Sequence, residues 1–185
     1  MATRTSSPVI AVFGGSEAES GSAVYRDAME VGRLLAEAGC AVINGGYGGV
    51  MEASARGARE AGGATLGVTM SAFAGRGGAN RFIETEIEEP DLFARTARLI
   101  ESAAGFIILP GKSGTLAELA FLWALRRADL LGPKPIVLLG TLWEELLRQL
   151  RILDVVNEPE FSATRIAFNP GQATEAVLSP IQGKR

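Results

Sequence analysis

The sequence predicts an α/β fold, a doubly wound parallel sheet of about six or seven strands with helices on both faces. Short runs that are apolar throughout alternate with segments whose apolar residues recur at helical spacing, which is typical of parallel strands covered on both sides. Three glycine-rich turns directly follow such runs. Because the carboxyl ends of parallel strands meet at one edge of a sheet, these turns are expected to lie together, where ligands bind in this fold class. A length of 185 residues fits a single domain.

The first half of the chain predicts three strands and two helices. Unbroken apolar runs indicate the strands, and apolar positions such as Val24, Ala28 and Val31 recur at the spacing of a helix face. Gly39 and Gly62 are expected to end the two helices. The predicted strands are residues 9–13, 41–44 and 65–68, and the predicted helices are residues 23–38 and 50–61.

The second half continues this alternation and completes one domain over residues 1–185. Residues 71–80 are rich in glycine and small side chains and predict a mobile loop. The first eight residues are expected to be flexible, and residues 179–185 are expected to form a tail. The predicted strands are residues 82–87, 106–109, 135–139 and 165–168, and the predicted helices are residues 92–103, 115–131, 143–153 and 170–178.

The composition excludes several classes of chemistry. The chain has no histidine, which rules out Ser-His-Asp triads, Cys-His pairs and histidine-ligated zinc. The single cysteine, Cys40, cannot form an internal disulfide or a thiolate metal site, and it fits a small core residue in a reducing cytoplasm. A net charge of −3 without a basic cluster argues against a nucleic-acid surface. No segment has the pattern of a signal peptide or a membrane span, so a cytoplasmic protein without a metal site is expected.

An anion site is predicted directly after the strand at residues 106–109. Pro110 ends that strand because it has no N–H to donate and its φ is fixed. Gly111 and Gly114 permit a tight turn whose backbone can approach a ligand closely, and a helix is expected to begin at Thr115. The free N–H groups and the positive dipole end of that helix would bind an anion, most naturally phosphate.

Two common nucleotide-binding motifs do not match the glycine-rich turns. Gly14-Gly15-Ser16 and Gly45-Gly46-Tyr47-Gly48-Gly49 lack the G-x-G-x-x-G register of a dinucleotide fingerprint. Gly111-Lys112-Ser113 suggests a Walker A motif, but Phe106 stands where that motif requires a glycine. A standard NAD site and a P-loop are therefore both disfavoured.

Thr115 and Glu118 have two interpretations. Thr-x-x-Glu is the pattern of a capping box, in which Glu118 would accept a hydrogen bond from the backbone N–H of Thr115. Alternatively, side chains lean toward the N-terminus of their helix, so Glu118 would point its carboxylate from the first turn back at the anion site. In that position it would stabilise a cationic, oxocarbenium-like sugar beside a bound phosphate.

Charged residues upstream of the anion site also have two interpretations. Arg95 lies near the start of the predicted helix 92–103 and could form a forked pair of hydrogen bonds with a phosphate or a carboxylate. Arg95 and Arg98 could equally be solvated surface charges. The acidic run from Glu84 to Glu89 is interpreted mainly as a solvated edge.

Together these residues resemble a known family. Pro110-Gly111-Lys112-Ser113-Gly114-Thr115-Leu116-Ala117-Glu118 is similar to the P-G-G-x-G-T-x-x-E motif of the LOG (Lonely Guy) proteins, Rossmann-like nucleoside 5′-monophosphate phosphoribohydrolases that have also been labelled lysine decarboxylases. Asn44-Gly45-Gly46-Tyr47-Gly48-Gly49-Val50-Met51-Glu52 resembles the family's G-G-G-x-x-G-x-M-G loop, and Val12-Phe13-Gly14-Gly15-Ser16 resembles its first nucleotide-binding turn. The resemblance covers residues 9–140 and places the family's catalytic arginine at Arg95 and its catalytic glutamate at Glu118.

The resemblance implies hydrolysis of the N-glycosidic bond of a nucleoside 5′-monophosphate to free base and ribose 5-phosphate. No cofactor is required for that reaction. The expected partners are a small phosphorylated ligand and further copies of the chain, in a homodimer or higher homo-oligomer. The residues expected to bind the phosphate or to line the nucleotide are Gly14, Gly15, Ser16, Gly45, Gly46, Met51, Gly111, Lys112, Ser113, Gly114 and Thr115.

Departures from the family pattern leave the function open. Lys112 replaces the second glycine of the phosphate loop, and Asn44 and Glu52 replace the outer glycines of the second loop. Related proteins of the same fold are molybdenum cofactor carriers, so the alternative is a non-catalytic carrier or sensor of a phosphorylated, nucleotide-like ligand. Lysine decarboxylation is disfavoured, because a pyridoxal phosphate enzyme needs a Schiff-base lysine in a pocket and neither Lys134 nor Lys184 nor Lys112 has such a context.

Overall fold

A parallel sheet of seven strands forms the centre of the protein in a computed structural model that describes residues 7–71 and 78–183. The strands are β1 (Val9–Phe13), β2 (Ala41–Asn44), β3 (Thr65–Met70), β4 (Thr85–Glu89), β5 (Gly105–Ile108), β6 (Ile136–Leu139) and β7 (Thr164–Ala167). Their order across the sheet is β4-β3-β2-β1-β5-β6-β7, and each neighbouring pair is parallel. The predicted Rossmann-like, doubly wound fold is confirmed.

Helices cover both faces of this sheet and enclose two separate cores. The helices are α1 (Ala23–Glu37), α2 (Val50–Glu60), α3 (Leu92–Ser102), α4 (Ser113–Arg127), α5 (Thr141–Ile152), α6 (Glu158–Ser162) and α7 (Pro170–Gln182). Ile10 and Val12 of β1 face the core built with α1, α2 and α7. Ala11 and Phe13 face the opposite core, built with α3, α4, α5 and α6. This alternation follows from the period of two in a strand, and it explains why β1 is apolar at every position.

The strand order reverses between β1 and β5, and this reversal positions the site. Chain connections run outward from β1 on one side and outward from β5 on the other, so the turns that follow these two strands diverge and leave a crevice. The turn after β2 borders the same crevice, because β2 pairs with β1. The three glycine-rich turns therefore meet at one edge of the sheet, as the sequence predicts.

Two predicted boundaries are wrong at the edge strand and at the phosphate loop. The strand predicted for residues 82–87 begins only at Thr85, because the N–H groups of Phe82 and Ile83 donate within a local turn to Asn80. Helix α4 begins at Ser113 rather than at Thr115, with Lys112 at its N-cap. Glu86, Glu88 and Glu89 of the acidic run lie on β4, which is an edge strand of the sheet as predicted, and Glu84 directly precedes it.

The last third of the chain holds more helix than predicted. Helix α6 was not expected; its start at Asn157 is stabilised by the Glu160 carboxylate, which accepts from the Asn157 N–H at 2.6 Å. Helix α7 continues through Pro180 to Gln182, so most of the predicted tail at residues 179–185 is helical.

Helix α4, by contrast, is shorter than predicted. It ends at Arg127, close to Asp129, which adopts a left-handed backbone with φ of 57°.

Two other predictions concern residues near or outside the ends of the described ranges. Residues 1–6 and residues 72–77, from the predicted flexible start and the predicted mobile loop, lie outside the described residues. Pro8 is fixed to the sheet, since its carbonyl accepts from the N–H of Ala41 at 2.9 Å. Within the described ranges, no helix has the length and the apolar character needed to cross a membrane.

Candidate functional site

Gly15 joins the three glycine-rich turns. Its N–H donates to the carbonyl of Pro110 at 3.1 Å, and its carbonyl accepts from the N–H of Val50 at 3.0 Å. The turn after β1 is thereby bonded to the turn after β5 and to the start of α2. Gly111 packs just as closely, because a Cβ atom there would lie 2.2 Å from Oγ1 of Thr115 and 2.8 Å from the nitrogen of Gly15. Position 111 therefore requires a glycine because of its close packing against Thr115 and Gly15.

A cavity of about 980 Å³ opens above these turns at the carboxyl edge of the sheet. The structure brings most of the predicted site residues together around it. Among the described residues, those predicted residues that line the cavity are Gly14, Gly15, Ser16, Met51, Arg95, Gly111, Lys112, Ser113, Gly114, Thr115 and Glu118.

Gly45 and Gly46 lie behind the cavity wall and are buried. A Cβ atom on Gly45 would lie 1.7 Å from Nη2 of Arg95, so glycine makes room for the arginine. The N–H of Gly46 donates to Oδ1 of Asn44 at 2.8 Å, and its carbonyl accepts from Asn80. These two glycines support other site residues and do not themselves face the cavity.

The N-terminus of α4 offers free hydrogen-bond donors to the cavity. Over residues 7–71 and 78–183, no acceptor is bonded to the backbone N–H groups of Ser113, Gly114 and Thr115, and no side chain caps the helix. Helix α1, which also starts at the cavity, differs because Oγ of Ser22 accepts from the N–H of Tyr25 at 3.2 Å. Free N–H groups at a helix start bind anions readily. We call the backbone of Gly111 to Thr115 the cradle.

Thr115 and Glu118 do not form the capping box that was one interpretation of the sequence. Thr115 lies inside α4, two residues after its start, and Lys112 occupies the N-cap. Thr115 is only 4% exposed and lines the cavity, and its hydroxyl has no hydrogen-bond partner in the described part of the chain. Glu118 follows in the second turn of α4, not in the first as predicted.

Arg95 is a buried residue of the site, so its interpretation as a surface charge is wrong. It is 8% exposed, and its guanidinium donates from Nε to the carbonyl of Val68 at 2.7 Å and from Nη2 to the carbonyl of Gly45 at 3.1 Å. The guanidinium carbon lies 5.6 Å from the centre of the Tyr47 ring. Among the described residues, Nη1 has no partner, and Arg95 reaches the cavity. Arg98, by contrast, pairs with Glu89 on the surface at 2.8 Å.

Glu118 is a partly buried carboxyl on the cavity. Burial raises its pKa to about 7, and the positive charge of Arg95 opposes that rise. Burial also lowers the pKa of the Arg95 guanidinium, against the charges of Glu118 and Tyr47. No direct ion pair joins the two side chains within the described residues, so each keeps a polar group for a ligand. A strongly shifted carboxyl in a cavity is a common property of functional sites.

Tyr47 and Asn80 belong to the site but were missed by the sequence analysis. The side-chain amide nitrogen of Asn80 donates to the carbonyls of Gly46 at 3.0 Å and Tyr47 at 2.8 Å. Tyr47 and Asn80 both line the cavity. The Tyr47 hydroxyl accepts from the N–H of Met70 at 3.0 Å. The sequence feature that could have indicated Tyr47 is its large side chain between glycines. No local sequence feature indicates Asn80, because its hydrogen-bond partners lie 33 and 34 residues away along the chain.

Comparison with known proteins then decides the family. Residues 7–160 match the model of the SLOG cluster4 family. The chain belongs to the SLOG cluster4 family. The predicted resemblance to LOG-like proteins is confirmed at this level.

Similar proteins share most of the chain. An uncharacterized protein of Archaeoglobus fulgidus is 37% identical over 111 residues, which are 60% of this chain and 70% of that protein. The molybdenum cofactor binding protein of the phototrophic bacterium Rippkaea orientalis superimposes with a TM-score of 0.73 at 26% identity, covering 95% of this chain and 98% of that one. The molybdenum cofactor carrier protein of Chlamydomonas reinhardtii has a TM-score of 0.72 at 26% identity, covering 95% and 99%.

Proposed function

We propose that this SLOG cluster4 protein hydrolyses the N-glycosidic bond of a nucleoside 5′-monophosphate, releasing free base and ribose 5-phosphate. The observation that carries the proposal is the placement of Glu118, a partly buried carboxyl that shares a helix with the cradle and a cavity with Arg95. Its pKa of about 7 lets the group both carry charge and exchange a proton near neutral pH.

The cradle sets the distance between the phosphate and the reacting bond. The 5′-phosphate would bind to the N–H groups of Ser113, Gly114 and Thr115 and to the free Thr115 hydroxyl. Glu118 follows Thr115 by three residues, so it lies on the same helix face and about 4.5 Å further along the axis. The ribose of a bound nucleotide would extend over that step and bring its C1′ atom toward the carboxyl.

The reaction breaks the C1′–N bond and forms a bond from C1′ to the oxygen of water. Positive charge develops on the ribose as the bond to the base lengthens, and the ionised Glu118 stabilises that charge. The same carboxylate accepts a proton from the attacking water. The electron pair of the broken bond stays on the base nitrogen, which then takes the proton from Glu118, and the carboxylate is restored.

Arg95 would act beside Glu118 with the one guanidinium nitrogen that has no protein partner among the described residues. Its Nε and Nη2 are bonded to backbone carbonyls, so the side chain is fixed before a ligand arrives. Nη1 would donate to the sugar phosphate. The charge of Arg95 also opposes the rise in the Glu118 pKa, which keeps part of the carboxyl ionised at neutral pH.

The test is the release of free base from AMP, GMP, CMP and IMP by the purified protein. Glu118→Gln keeps the size of the side chain and removes its charge, and it is expected to lower kcat by about 10²–10³. Arg148→Ala, at an exposed position on α5 where the arginine pairs with Glu145, is the matched control and is expected to keep full activity. No base release from any of the four nucleotides, or full activity in Glu118→Gln, would contradict the proposal.

The pH dependence gives a second test of the role of Glu118. The ionised carboxylate is the active form in this mechanism, so kcat/KM is expected to rise with pH and to level off above the pKa of about 7. The residual kcat/KM of Glu118→Gln is expected not to rise with pH over this range. A wild-type rate that is flat between pH 5 and pH 8 would exclude Glu118 as the base, whatever its effect on binding.

A second candidate is a carrier of a phosphorylated, nucleotide-like ligand such as molybdenum cofactor. It is supported by the similarity to two molybdenum cofactor proteins along 95% of the chain and by a cavity at the upper end of the volumes typical for small ligands. The cradle would hold the phosphate of that ligand. Tight binding in calorimetry without any product would favour the carrier over the hydrolase.

Self-association through α4 belongs to the same proposal. Leu119, Leu122 and Trp123 of this helix are buried in the core, yet Leu116 and Phe121 on other sides are 43% and 47% exposed. A helix that is apolar around most of its circumference is typically buried on more than one side. Analytical ultracentrifugation at micromolar concentration is expected to show a homodimer, and a monomer would contradict this part of the proposal.

A further inference from the structure

Lys112 and Glu17 form an ion pair at the rim of the cavity. Lys112 is the N-cap of α4, and Glu17 lies in the turn after β1, so the pair connects two of the turns that build the site. Both residues line the cavity, and their side chains are 78% and 65% exposed. Some other exposed pairs, such as Arg33 with Glu37, join neighbouring turns of a single helix, and others, such as Arg59 with Glu84, join separate elements away from the cavity.

The fold does not depend on this pair. Exposed ion pairs contribute little to stability, and within the described residues the Lys112 side chain makes no capping bond to α4. The turns are already joined by the backbone bond from Gly15 to Pro110. The position of Lys112 therefore has its clearest consequence for a ligand.

The cradle is matched to a single phosphate group. Its donors within the first turn of α4 are the N–H groups of Ser113, Gly114 and Thr115, and the Thr115 hydroxyl lies beside them. The ammonium group of Lys112 lies outside this set, toward the turn after β1, and it has three donors on a flexible stem. A second phosphate attached to the first would extend past the cradle to the rim.

We propose that the site also binds nucleoside 5′-diphosphates, with Lys112 donating to the second phosphate and Glu17 competing with that phosphate for the ammonium group. This inference rests on the proposed binding of the first phosphate by the cradle. The carboxylate of Glu17 holds Lys112 at the rim when no ligand is bound. It also repels the incoming phosphate, so it lowers the affinity for the very ligands that Lys112 favours.

Isothermal titration calorimetry tests the inference with two pairs of probes. Inorganic phosphate and pyrophosphate are titrated into the wild-type protein, and AMP and ADP into Glu118→Gln, which is expected to turn over too slowly to disturb the titration. In each pair the compound with two phosphates is expected to bind roughly fivefold more tightly or better. Lys112→Ala is expected to abolish this ratio, and Arg148→Ala, an exposed change on α5, is expected to keep it.

The double variant decides whether the two side chains act on each other. Glu17→Gln alone is expected to tighten ADP and pyrophosphate by roughly threefold to fivefold, because Lys112 is released. In Glu17→Gln with Lys112→Ala, that gain is expected to be lost. Raising the salt concentration is expected to reduce the ratio in the wild type, since the pair is exposed.

Four outcomes would overturn the inference. Equal affinity of Glu118→Gln for AMP and ADP would exclude the second phosphate site, and so would an equal loss of affinity for both nucleotides when Lys112→Ala is added. Either result would leave the proposed hydrolysis intact. A gain from Glu17→Gln that persists without Lys112 would show that Glu17 acts by general repulsion and not through the lysine. Absence of binding for every probe would overturn this inference and the cradle together.

Discussion

Two glycine-rich turns lie at the same edge of the sheet and use their polar groups in opposite ways. In the turn after β2, the Gly46 N–H is bonded to Asn44, the Gly45 carbonyl to Arg95, and the Tyr47 carbonyl to Asn80. In the turn after β5, which leads into α4, the N–H groups of the cradle have no acceptor among the described residues. These three groups of the first turn are bonded within the protein, whereas the N–H groups of the second turn remain available for a ligand.

The comparison teaches that glycine content alone does not identify a binding turn. Gly45 is required because Arg95 occupies the space of its missing side chain, whereas Gly111 is required because Thr115 and Gly15 approach its backbone. A turn whose polar groups are bonded to the protein holds the site in place, and a turn with unbonded donors has those donors available for a ligand. Changes in the two turns should therefore have different consequences for affinity and for stability.

Gly111→Ala is expected to have the largest effect. The new Cβ atom would lie 2.2 Å from Oγ1 of Thr115 and 2.8 Å from the nitrogen of Gly15, so the cradle must shift away from the turn after β1. A displacement of about 1 Å at a positioned site costs on the order of 10² in binding or rate. Calorimetry with inorganic phosphate and the rate of base release from AMP measure the loss.

Gly114→Ala is the matched control in the same turn. Apart from its chain neighbours and the backbone of its own helix, no described atom lies within 4 Å of a Cβ placed there, and the substitution keeps the backbone N–H. It is expected to leave phosphate affinity within about twofold and to raise stability slightly, since alanine favours a helix. A loss as large as that of Gly111→Ala would mean that any side chain in the turn blocks the ligand.

Asn44→Ala is expected to disturb the turn after β2 without changing the donors of the cradle. The variant loses the acceptor for the Gly46 N–H and the donor to the Met51 carbonyl, both at 2.8 Å in a buried position. Leaving such groups unpaired costs about 1–3 kcal/mol. Chemical denaturation is expected to show this fall in the free energy of unfolding, with phosphate affinity nearly unchanged.

Gln149→Ala is the control for the loss of an amide, because Gln149 is an exposed residue of α5. Its free energy of unfolding is expected to stay within about 0.5 kcal/mol of the wild type. If Asn44→Ala weakened phosphate binding as strongly as Gly111→Ala, the distinction between a supporting turn after β2 and a binding turn after β5 would be wrong.

Thr115→Val is expected to give the smallest effect and the opposite profile. The substitution keeps the shape of a residue that is 4% exposed and removes a hydroxyl without a described partner. Stability is expected to be unchanged or slightly higher, whereas phosphate affinity falls about fivefold with the loss of one hydrogen bond. A stability loss above that of Asn44→Ala would show that the hydroxyl serves the fold and not a ligand.

Local patterns predicted the sheet and the position of the site, because apolar runs and the turns after them depend on nearby residues. Val9–Phe13 forms a strand because its residues are apolar throughout. The turn that directly follows it therefore lies at the carboxyl edge of the sheet, beside the crevice. The roles of Gly45 and Gly46 could not be predicted in this way. They depend on Arg95 and Asn80, which come from distant parts of the chain and whose hydrogen bonds form only after the sheet is assembled. The choice between a helix cap and a cavity carboxyl at Glu118 was likewise decided by where α4 begins.

The burial of Glu118 makes the proton itself a ligand of this protein. A glutamate in the unfolded chain loses its proton near pH 4.5, but in the fold its pKa is about 7. The folded state therefore holds more protons between these two values, and this carboxyl makes stability fall as the pH rises through that interval. A phosphate dianion in the cradle would add a like charge and draw in further protons, so the heat of binding should depend on the buffer. Stability, binding heat and reaction rate should thus change over one pH interval, because one carboxyl is common to all three.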